Sequence, residues 1–269
     1  MTPSSSPIPD LAALLSLAHD LADAAREVIR PYFRQPIDVD LKVDHTPVTI
    51  ADREAERVMR SMLADRVPEH GVVGEEFGAD RAEAEWVWVL DPIDGTQAFL
   101  SGQPTFGTLI ALLHNGTPIL GLIDQAITRE RWVGAQGEGA TLNGAAIQTR
   151  LCTDLSTATV FATSPAMFQE ADAACFERLS ERANLVRYGL DCYAYGLLAL
   201  GFVDVVAECQ MELYDYAALV PIVEAAGGVI SDWRGEPLKM GSDGRVLALG
   251  DAALQMEALR LLDGEQAVE

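Results

Sequence analysis

The chain has 269 residues, 49% of them hydrophobic, and its 41 acidic and 19 basic side chains give a formal net charge of -22. Such a chain can bury a sizeable core, which excludes wholesale disorder. The acidic balance excludes a non-specific nucleic-acid binder and disfavours anionic membranes, and an enzyme of this charge that acts on phosphate needs bound metal to reverse the local sign.

Cysteine usage and the absence of targeting signals indicate the compartment. The four cysteines lie far apart without a CxxC pair, which is typical of reduced thiols. The start "MTPSSSPIPD" lacks the basic and apolar regions of a signal peptide. The longest apolar stretch, 192–207, is short for a membrane span and contains Asp204. We expect a soluble cytoplasmic protein.

The first half of the chain begins with helices and continues with strands. Residues 1–9 form a short Pro/Ser tail, which we expect to be flexible, and Asp10 caps a helix whose apolar residues recur at helical spacing as far as Ile29. Thr49 caps a second helix. After it, "WVWVL" (86–90) is typical of a buried strand, and the segments 105–113 and 119–123 flank the turn "HNGTP" as a hairpin.

The second half alternates between the two periodicities. Strands are predicted at 157–163, 185–189 and 202–208, with helices at 168–183, 192–200 and 215–226; "GGVISDW" and "RVLALG" add strands before a last helix at 251–262. This alternation predicts a layered α/β fold. A composition shift near residue 150 indicates two lobes, about 10–150 and 151–265, which we treat as a single catalytic domain, 10–265.

Two aspartates at the end of a buried strand pose the main question of the sequence. Asp91 and Asp94 stand three residues apart in "DPIDGT". Burying two like charges costs several kcal/mol for each charge unless a group of opposite charge or a hydrogen-bond donor pairs with them. Gly95 and Thr96 follow at a possible helix start, where free N–H groups suit a phosphate. The loop therefore offers oxygen ligands to a hard cation such as Mg²⁺. The alternative is an exposed turn in which Asp94 caps a helix.

Three further acidic segments resemble ordinary features when taken alone. "VVGEEFG" (72–78) places Glu75 and Glu76 after an apolar run, Asp52 lies early in the second helix, and Asp215 lies in the first turn of an apolar helix that ends in two glycines. A chain with 41 acids shows charged loops and capped helices by chance. Only the combination of these segments is informative.

Together the segments resemble the inositol monophosphatase superfamily, over about residues 10–262. That family carries "GEE", then "DPIDGT", then Trp or Tyr followed by Asp at a helix start and "EAGG". Here these motifs read Gly74-Glu75-Glu76, Asp91-Pro92-Ile93-Asp94-Gly95-Thr96, and Tyr214-Asp215 with Glu224-Ala225-Ala226-Gly227-Gly228, the last with one further alanine. The resemblance implies a Mg²⁺-dependent phosphomonoesterase, a layered α/β/α/β/α sandwich of the inositol monophosphatase and fructose-1,6-bisphosphatase type, and a homodimer.

The resemblance also implies a set of two to three Mg²⁺ ions. Carried over residue by residue, Glu75, Asp91 and the backbone carbonyl of Ile93 hold the first ion. Asp91, Asp94 and Asp215 hold the second, so that Asp91 bridges the two. A third, weaker ion relies on Glu75 and water. The clustered charge would then be neutralised by cations.

The implied chemistry assigns roles to the residues around the metals. A metal lowers the pKa of a bound water and makes a nucleophile near neutral pH. Thr96 orients that water, Asp52 accepts the proton of the Thr96 hydroxyl, and Glu75 completes the predicted catalytic set. The backbone N–H groups of Gly95 and Thr96 hold the phosphate.

Two further segments indicate the substrate. "TFGTLIALL" and "DCYAYGLLALG" resemble the histidinol-phosphatase branch of the superfamily. Histidinol phosphate carries an ammonium and an imidazole, so Asp191 at a helix start and Glu208 at a strand end are predicted to bind it. The alternatives are an N-cap for Asp191 and an exposed strand end for Glu208. Lys42 in "LKVDHTPVT" is a third candidate, with a solvated strand charge as its alternative.

Two departures from the branch leave the substrate open. Gln97 stands where Lys or Arg is common, and Glu212 stands where a lysine is common, which changes the local charge by two. We predict hydrolysis of L-histidinol phosphate to L-histidinol and phosphate. The alternatives are inositol 1-phosphate or another sugar or nucleotide phosphate, and a catalytically silent binding relative, which the complete set of metal carboxylates disfavours.

Overall fold

The computed structural model describes residues 10–36, 39–41 and 47–263. The helices of this part are α1 (Leu11–Ile29), α2 (Ile50–Arg66), α3 (Thr96–Leu100), α4 (Glu170–Arg182), α5 (Cys192–Ala199), α6 (Leu213–Tyr216), α7 (Leu219–Ala225) and α8 (Gln255–Asp263). Its strands are β1 (Val39–Leu41), β2 (Pro47–Thr49), β3 (Gly71–Gly74), β4 (Gly78–Asp80), β5 (Trp86–Asp94), β6 (Gly107–His114), β7 (Thr117–Gln125), β8 (Glu130–Ala135), β9 (Gly139–Leu142), β10 (Ala145–Ile147), β11 (Thr159–Ala162), β12 (Leu185–Tyr188), β13 (Val205–Glu208), β14 (Val229–Ser231) and β15 (Val246–Leu249).

The strands form two large sheets and one short pair. The eight-stranded sheet has the order β10-β9-β8-β7-β6-β5-β3-β4, and the five-stranded sheet has the order β12-β11-β13-β15-β14. Within the larger sheet β3 and β5 run parallel, as do β11, β12 and β13 in the smaller one. β1 pairs with β2. The chain passes from one sheet to the other between residues 147 and 159.

Strict alternation along β5 divides the core into layers. Trp88 and Leu90 face α1 and α2, whereas Val87 and Val89 face α5, α6 and α7 on the other side of the sheet. Those three helices also cover one face of the five-stranded sheet, and α4 and α8 cover its other face. The order is therefore helices, sheet, helices, sheet, helices, which confirms the predicted layered α/β/α/β/α sandwich.

Side-chain caps fix the starts of the first two helices, as the sequence predicts. The Asp10 carboxylate accepts the Ala12 N–H at 3.1 Å. Thr49 and Asp52 form a reciprocal capping box at the start of α2. Each cap accepts hydrogen bonds from backbone N–H groups that have no acceptor inside the helix, and so it fixes the residue at which the helix begins.

The predicted helix at 215–226 is wrong in its bounds, because the segment forms two short helices. α6 starts earlier than predicted, since Asp215 lies in its first turn and caps its N-terminus, and it ends at Tyr216. Pro221 lies in the first turn of α7, where the lack of an N–H is tolerated. In the interior of one continuous helix, the same proline would remove a backbone hydrogen bond and break the helix. The predicted strand at 202–208 is likewise shorter, Val205–Glu208.

The chemistry of the cysteines agrees with the sequence. All four are free and buried, as expected for reduced core thiols. Within the ranges that the structure describes, no helix combines the length and the apolar character needed to cross a membrane.

A pair of glycines brings α6 and α7 close to the large sheet. Gly121 on β7 and Gly134 on β8 are register partners. A Cβ on Gly121 would overlap the carbonyl of Ala218, and one on Gly134 would overlap the backbone at Pro221 and Ile222. The start of α7, three residues after Asp215, therefore packs on bare backbone of the sheet.

We predict that Gly121→Ala destabilises the fold by about 1–3 kcal/mol, because the added methyl must push α7 away from the sheet. Chemical unfolding monitored by circular dichroism measures this. Gly250→Ala is the matched control, since its nearest neighbouring heavy atoms lie at 3.6 Å and it should be nearly neutral. Equal free energies of unfolding for the two variants would contradict the proposed close packing.

Candidate metal centre and substrate cavity

A bulge in β5 turns two aspartates toward one site. Side chains three apart on a regular strand point to opposite faces. Here the pairing of β5 with β6 shifts register between Asp91 and Asp94, where Pro92 has no N–H to donate. The Ile93 N–H donates instead to Asp91 Oδ1 at 3.0 Å, and the Thr108 hydroxyl donates to the Pro92 carbonyl at 2.8 Å. The bulge therefore allows both carboxylates to meet.

Glu75 reaches the same place from the neighbouring parallel strand. β3 ends at Gly74, opposite Leu90 of β5, and the Glu75 N–H donates to the Leu90 carbonyl at 3.2 Å. Parallel strands end at the same edge of a sheet, so the segments after β3 and β5 are brought side by side. The charge of Glu75 raises the pKa of Asp91.

Asp215 arrives from the middle helical layer. Its Oδ2 accepts the N–H of Glu212 at 2.7 Å, which fixes the side chain at the start of α6. Carboxylate oxygens of Asp91, Asp94 and Asp215 all lie within 4.8 Å of one another. Two segments distant in sequence, β5 and the start of α6, thus place their acids within 4.8 Å of one another, and Glu75 follows the strand beside β5.

The pKa values show how strongly this cluster resists full ionisation. Burial, followed by the charges of Glu75, Asp94 and Asp215, raises the pKa of Asp91 well above its ordinary value. Burial, then Asp191 and Asp215, does the same for Asp94. The pKa of Asp215 rises to about 7, mainly through burial. Without a counter-charge these groups hold protons, and a set of closely spaced carboxylate oxygens is the donor set that Mg²⁺ takes. The residues therefore fit a divalent cation.

Asp94 faces the cluster and also accepts a hydrogen bond from the protein backbone. Its Oδ2 accepts the Cys192 N–H at 2.6 Å, so it does not cap α3, and the cap position belongs to Gly95. Gly95 has a φ of +81°, and a Cβ there would lie 2.8 Å from the Asp191 carboxyl. The start of α3 is thereby held against the segment that begins α5.

The predicted hydrogen bond between Thr96 and Asp52 is absent from the structure. The Thr96 hydroxyl donates to the Ile93 carbonyl at 3.1 Å. Asp52 Oδ2 accepts both the N–H and the hydroxyl of Thr49, at 2.9 and 2.5 Å, because Asp52 serves the capping box of α2. Its Oδ1 is buried without a hydrogen-bond partner among the described residues. Burial raises the pKa of Asp52 to about 6.

A cavity of about 160 Å³ adjoins the cluster. Four carboxylates line it, and of the described residues no lysine, arginine or histidine does; the lining is Asp94, Thr163, Met167, Asp191, Cys192, Glu208, Cys209, Gln210, Met211, Asp215 and Leu219. Such a lining suits a ligand that carries positive charge as well as hydrogen-bond donors.

Glu208 lies inside this cavity, so the alternative of an exposed strand end is wrong. Glu208 is 3% exposed. Its carboxylate accepts the Thr163 N–H at 2.6 Å and the Tyr195 hydroxyl at 2.9 Å. Sequence reasoning missed Thr163 and Tyr195, because nothing in the pattern of either residue marks it as a partner of Glu208.

Asp191 occupies the N-cap position of α5 but does not cap the helix with its side chain. Its side chain makes no capping hydrogen bond, and its φ of +47° follows a φ of +88° at Leu190. Left-handed backbone at two successive non-glycine residues costs about 1–3 kcal/mol at each. Burial, followed by the charge of Glu208, raises the pKa of Asp191 to about 7. The strained turn directs this carboxyl into the cavity rather than toward the helix.

Two of the residues that the sequence singled out, Gln97 and Glu212, do not line the cavity. Lys42 lies outside the described residues. Gln97 is exposed on α3, and Glu212 forms the N-cap of α6, so neither lines the cavity. Met211 lines the cavity. The metal count and the homodimer stay predictions.

Comparisons with known proteins agree with this geometry. The model of the inositol monophosphatase family matches residues 10–266. The chain is 45% identical to a bifunctional phosphatase, IMPL2, of the chloroplast of Arabidopsis thaliana, over 97% of this chain and 78% of that protein. It is 36% identical to a histidinol-phosphatase of Chlorobaculum parvum, over 87% and 91% of the two chains. An inositol monophosphatase structure from Zymomonas mobilis superposes with a TM-score of 0.88 at 46% identity, covering 95% of this chain and all of that one.

The chain therefore belongs to the inositol monophosphatase family. It is a phosphoric monoester hydrolase. The family is metal-dependent and generally uses Mg²⁺, which agrees with the carboxylate cluster on β5 and α6.

We predict that the metal-free protein loses thermal stability as the pH rises from about 4 to about 7. The pKa of Asp215 is raised from 3.8 to about 7. The contribution of Asp215 to the free energy of unfolding is fully present below its pKa in the unfolded state. This contribution is lost as the pH rises through its pKa in the folded state. Mg²⁺ binding should remove this loss of stability. The increase in Tm on adding Mg²⁺ should therefore be larger at pH 8 than at pH 5.

Thermal unfolding with EDTA and with millimolar Mg²⁺ across this pH range provides the measurement. Asp215→Asn isolates the cluster from the general effect of net charge, and it should show a shallower pH dependence and a smaller Mg²⁺ gain. An Mg²⁺ gain that is the same at pH 5 and pH 8 would contradict the raised pKa values.

Proposed function

We propose that this phosphatase hydrolyses L-histidinol phosphate to L-histidinol and phosphate in a Mg²⁺-dependent reaction. The observation that carries the proposal is the acidic cavity beside the metal cluster, into which Asp191 and Glu208 bring carboxylates. The relatives named histidinol-phosphatase support it, among them proteins 36% and 35% identical to this chain from Mycobacterium tuberculosis and Streptomyces coelicolor.

Electrostatics give the cavity its selectivity. Asp191 has a pKa of about 7 because burial and Glu208 both disfavour its charged form. An ammonium group bound beside it would favour the ionised carboxylate, whereas a neutral polyol would not. Glu208 already accepts two hydrogen bonds, and a carboxylate can accept about four, so it retains capacity for ligand donors.

The residues of the site divide the catalytic work. Bound Mg²⁺ would supply an acidified water and charge neutralisation on the phosphate, and Glu75, Asp91, Asp94, Asp215 and the Ile93 carbonyl would hold it. The N–H groups at Gly95 and Thr96 begin α3 and would donate to phosphate oxygens.

The Thr96 hydroxyl would orient the attacking water. In the structure its proton is donated to the Ile93 carbonyl, which we propose as a metal ligand. Asp52 Oδ1 is a buried oxygen without a hydrogen-bond partner among the described residues and is the acceptor we propose. Asp52 has a pKa of about 6, so it is largely ionised at neutral pH and able to accept.

Inositol phosphate is the second candidate substrate. The specific observation in its favour is the close similarity to a structure named as an inositol monophosphatase, at 46% identity. Hydroxyl groups also donate to carboxylates, so Asp191 and Glu208 could bind a polyol. The two candidates differ in one respect, the positive charge of the leaving group.

We predict that Asp191→Asn lowers kcat/KM for L-histidinol phosphate by about tenfold to a hundredfold, because one charged hydrogen bond to the ammonium is lost. The value for inositol 1-phosphate should change much less. Phosphate release with Mg²⁺, measured side by side for the two esters in wild type and variant, provides the data.

A matched control removes one negative charge far from the cavity. Glu257→Gln on α8, where Glu257 pairs with Arg182, should leave both kcat/KM values unchanged. Wild-type preference for the inositol ester, or an equal loss for both esters in Asp191→Asn, would contradict the histidinol phosphate proposal. In either case the metal-dependent phosphatase activity would still stand.

A further inference from the structure

A buried carboxylate outside the family motifs lies behind the turn that carries Glu75. Glu56 on α2 is 0% exposed. Its Oε2 accepts the Glu76 N–H at 2.7 Å, and its Oε1 accepts the Phe77 N–H at 3.2 Å. These two donors follow Glu75 directly in the chain, so one side chain holds the backbone on the C-terminal side of this predicted metal ligand.

The same carboxylate also occupies the space on the other side of Glu75. A Cβ built on Gly74 would overlap the Glu56 carboxyl group, with its nearest contact to Oε1. Gly74 does not have a left-handed φ, so glycine is required here by space and not by backbone conformation. The glycine of the "GEE" motif thus leaves room for the Glu56 carboxylate.

An arginine one turn further along α2 extends this arrangement. Arg60 Nε donates to Glu56 Oε1 at 2.7 Å, and Arg60 Nη2 donates to the carbonyl of Gly78. The Arg60 side chain is 19% exposed. Glu56 and Arg60 together therefore span the turn from Gly74 to the start of β4.

Residues four apart share one face of a helix, which links this pair to the active site. Asp52 lies one turn before Glu56 on α2, and the charge of Glu75 is among the causes that raise its pKa. One stripe of α2, made of Asp52, Glu56 and Arg60, therefore faces the turn that holds Glu75.

We propose that Glu56 is a positioning residue for metal binding, which holds the turn from Gly74 to Phe77 so that the Glu75 carboxylate stays beside Asp91. This inference rests on the proposed Mg²⁺-dependent function. The two N–H bonds to Glu56 and the ion pair of Glu56 with Arg60 fix this turn without help from a cation, and so they prepare the site in the metal-free protein.

The test is Glu56→Gln, which keeps the shape and one acceptor oxygen but loses the charge. We expect the Mg²⁺ concentration that gives half of the maximal Tm increase to rise about tenfold. The kcat at saturating Mg²⁺ should stay within about threefold of wild type, because Glu56 belongs neither to the carboxylate cluster nor to the lining of the cavity. Hydrogen exchange of the Glu76 and Phe77 amides in the metal-free protein should become faster.

Asp204→Asn is the matched control. Asp204 is also 0% exposed, pairs with Arg150 and accepts a backbone N–H, that of Thr159, at 2.7 Å. It precedes β13, at the opposite end of that strand from Glu208. This variant should lower the Tm as Glu56→Gln does, while its Mg²⁺ midpoint and the exchange at Glu76 and Phe77 remain as in wild type.

A second variant tests the same proposal if the Glu56→Gln protein does not fold. Arg60→Met keeps the aliphatic stem and leaves Glu56 in place, and it should raise the Mg²⁺ midpoint about threefold. If the folded Glu56→Gln and Arg60→Met proteins have the same Mg²⁺ midpoint as Asp204→Asn, the positioning role of Glu56 is overturned. The proposed function would still stand. A wild-type protein without any Mg²⁺-dependent Tm increase or phosphate release would overturn the proposed function, and the positioning role with it.

Discussion

Repulsion among buried carboxylates is the constraint on which the site depends. Asp91, Asp94 and Asp215 meet within 4.8 Å, and burial raises the pKa of each. A chain keeps such an arrangement only if protons or cations compensate it. The protein is already strongly acidic, so a phosphate ester could approach this point only after the local charge has been reversed. The metal-dependent chemistry of the family follows from this constraint.

The fold imposes this meeting through local devices of ordinary kinds. A bulge around Pro92 turns two strand residues toward one site, a parallel strand pair brings Glu75 beside them, and a helix N-terminus fixes Asp215. Gly121 and Gly134 let that helical layer approach the sheet. Each device is unremarkable alone, and it is their convergence that builds the carboxylate cluster proposed to bind a cation. In the proposed function, substrate selection is separate, because it depends on Asp191 and Glu208 in the adjoining cavity.

Local signals were readable in the sequence, and long-range partners were not. Caps at Asp10 and Thr49 indicated the helix starts, and the apolar run "WVWVL" indicated the buried strand. The predicted metal ligands came from the family resemblance, not from spacing, since three separate segments of the chain contain them. The partners of Glu208, the strained backbone at Asp191 and the break between α6 and α7 depend on tertiary contacts. Glu56 was missed because a glutamate in a helix is usually a solvated charge.

The central claim is that a divalent cation binds between the aspartates of β5 and α6. Anomalous diffraction from crystals soaked in Mn²⁺, a close substitute for Mg²⁺ at oxygen ligands, tests it most directly. The account predicts an anomalous peak within bonding distance of Asp91, Asp94 and Asp215, which disappears in crystals of Asp94→Asn. A data set at millimolar Mn²⁺ with no peak at this cluster, or with peaks only at other acidic side chains, would contradict it.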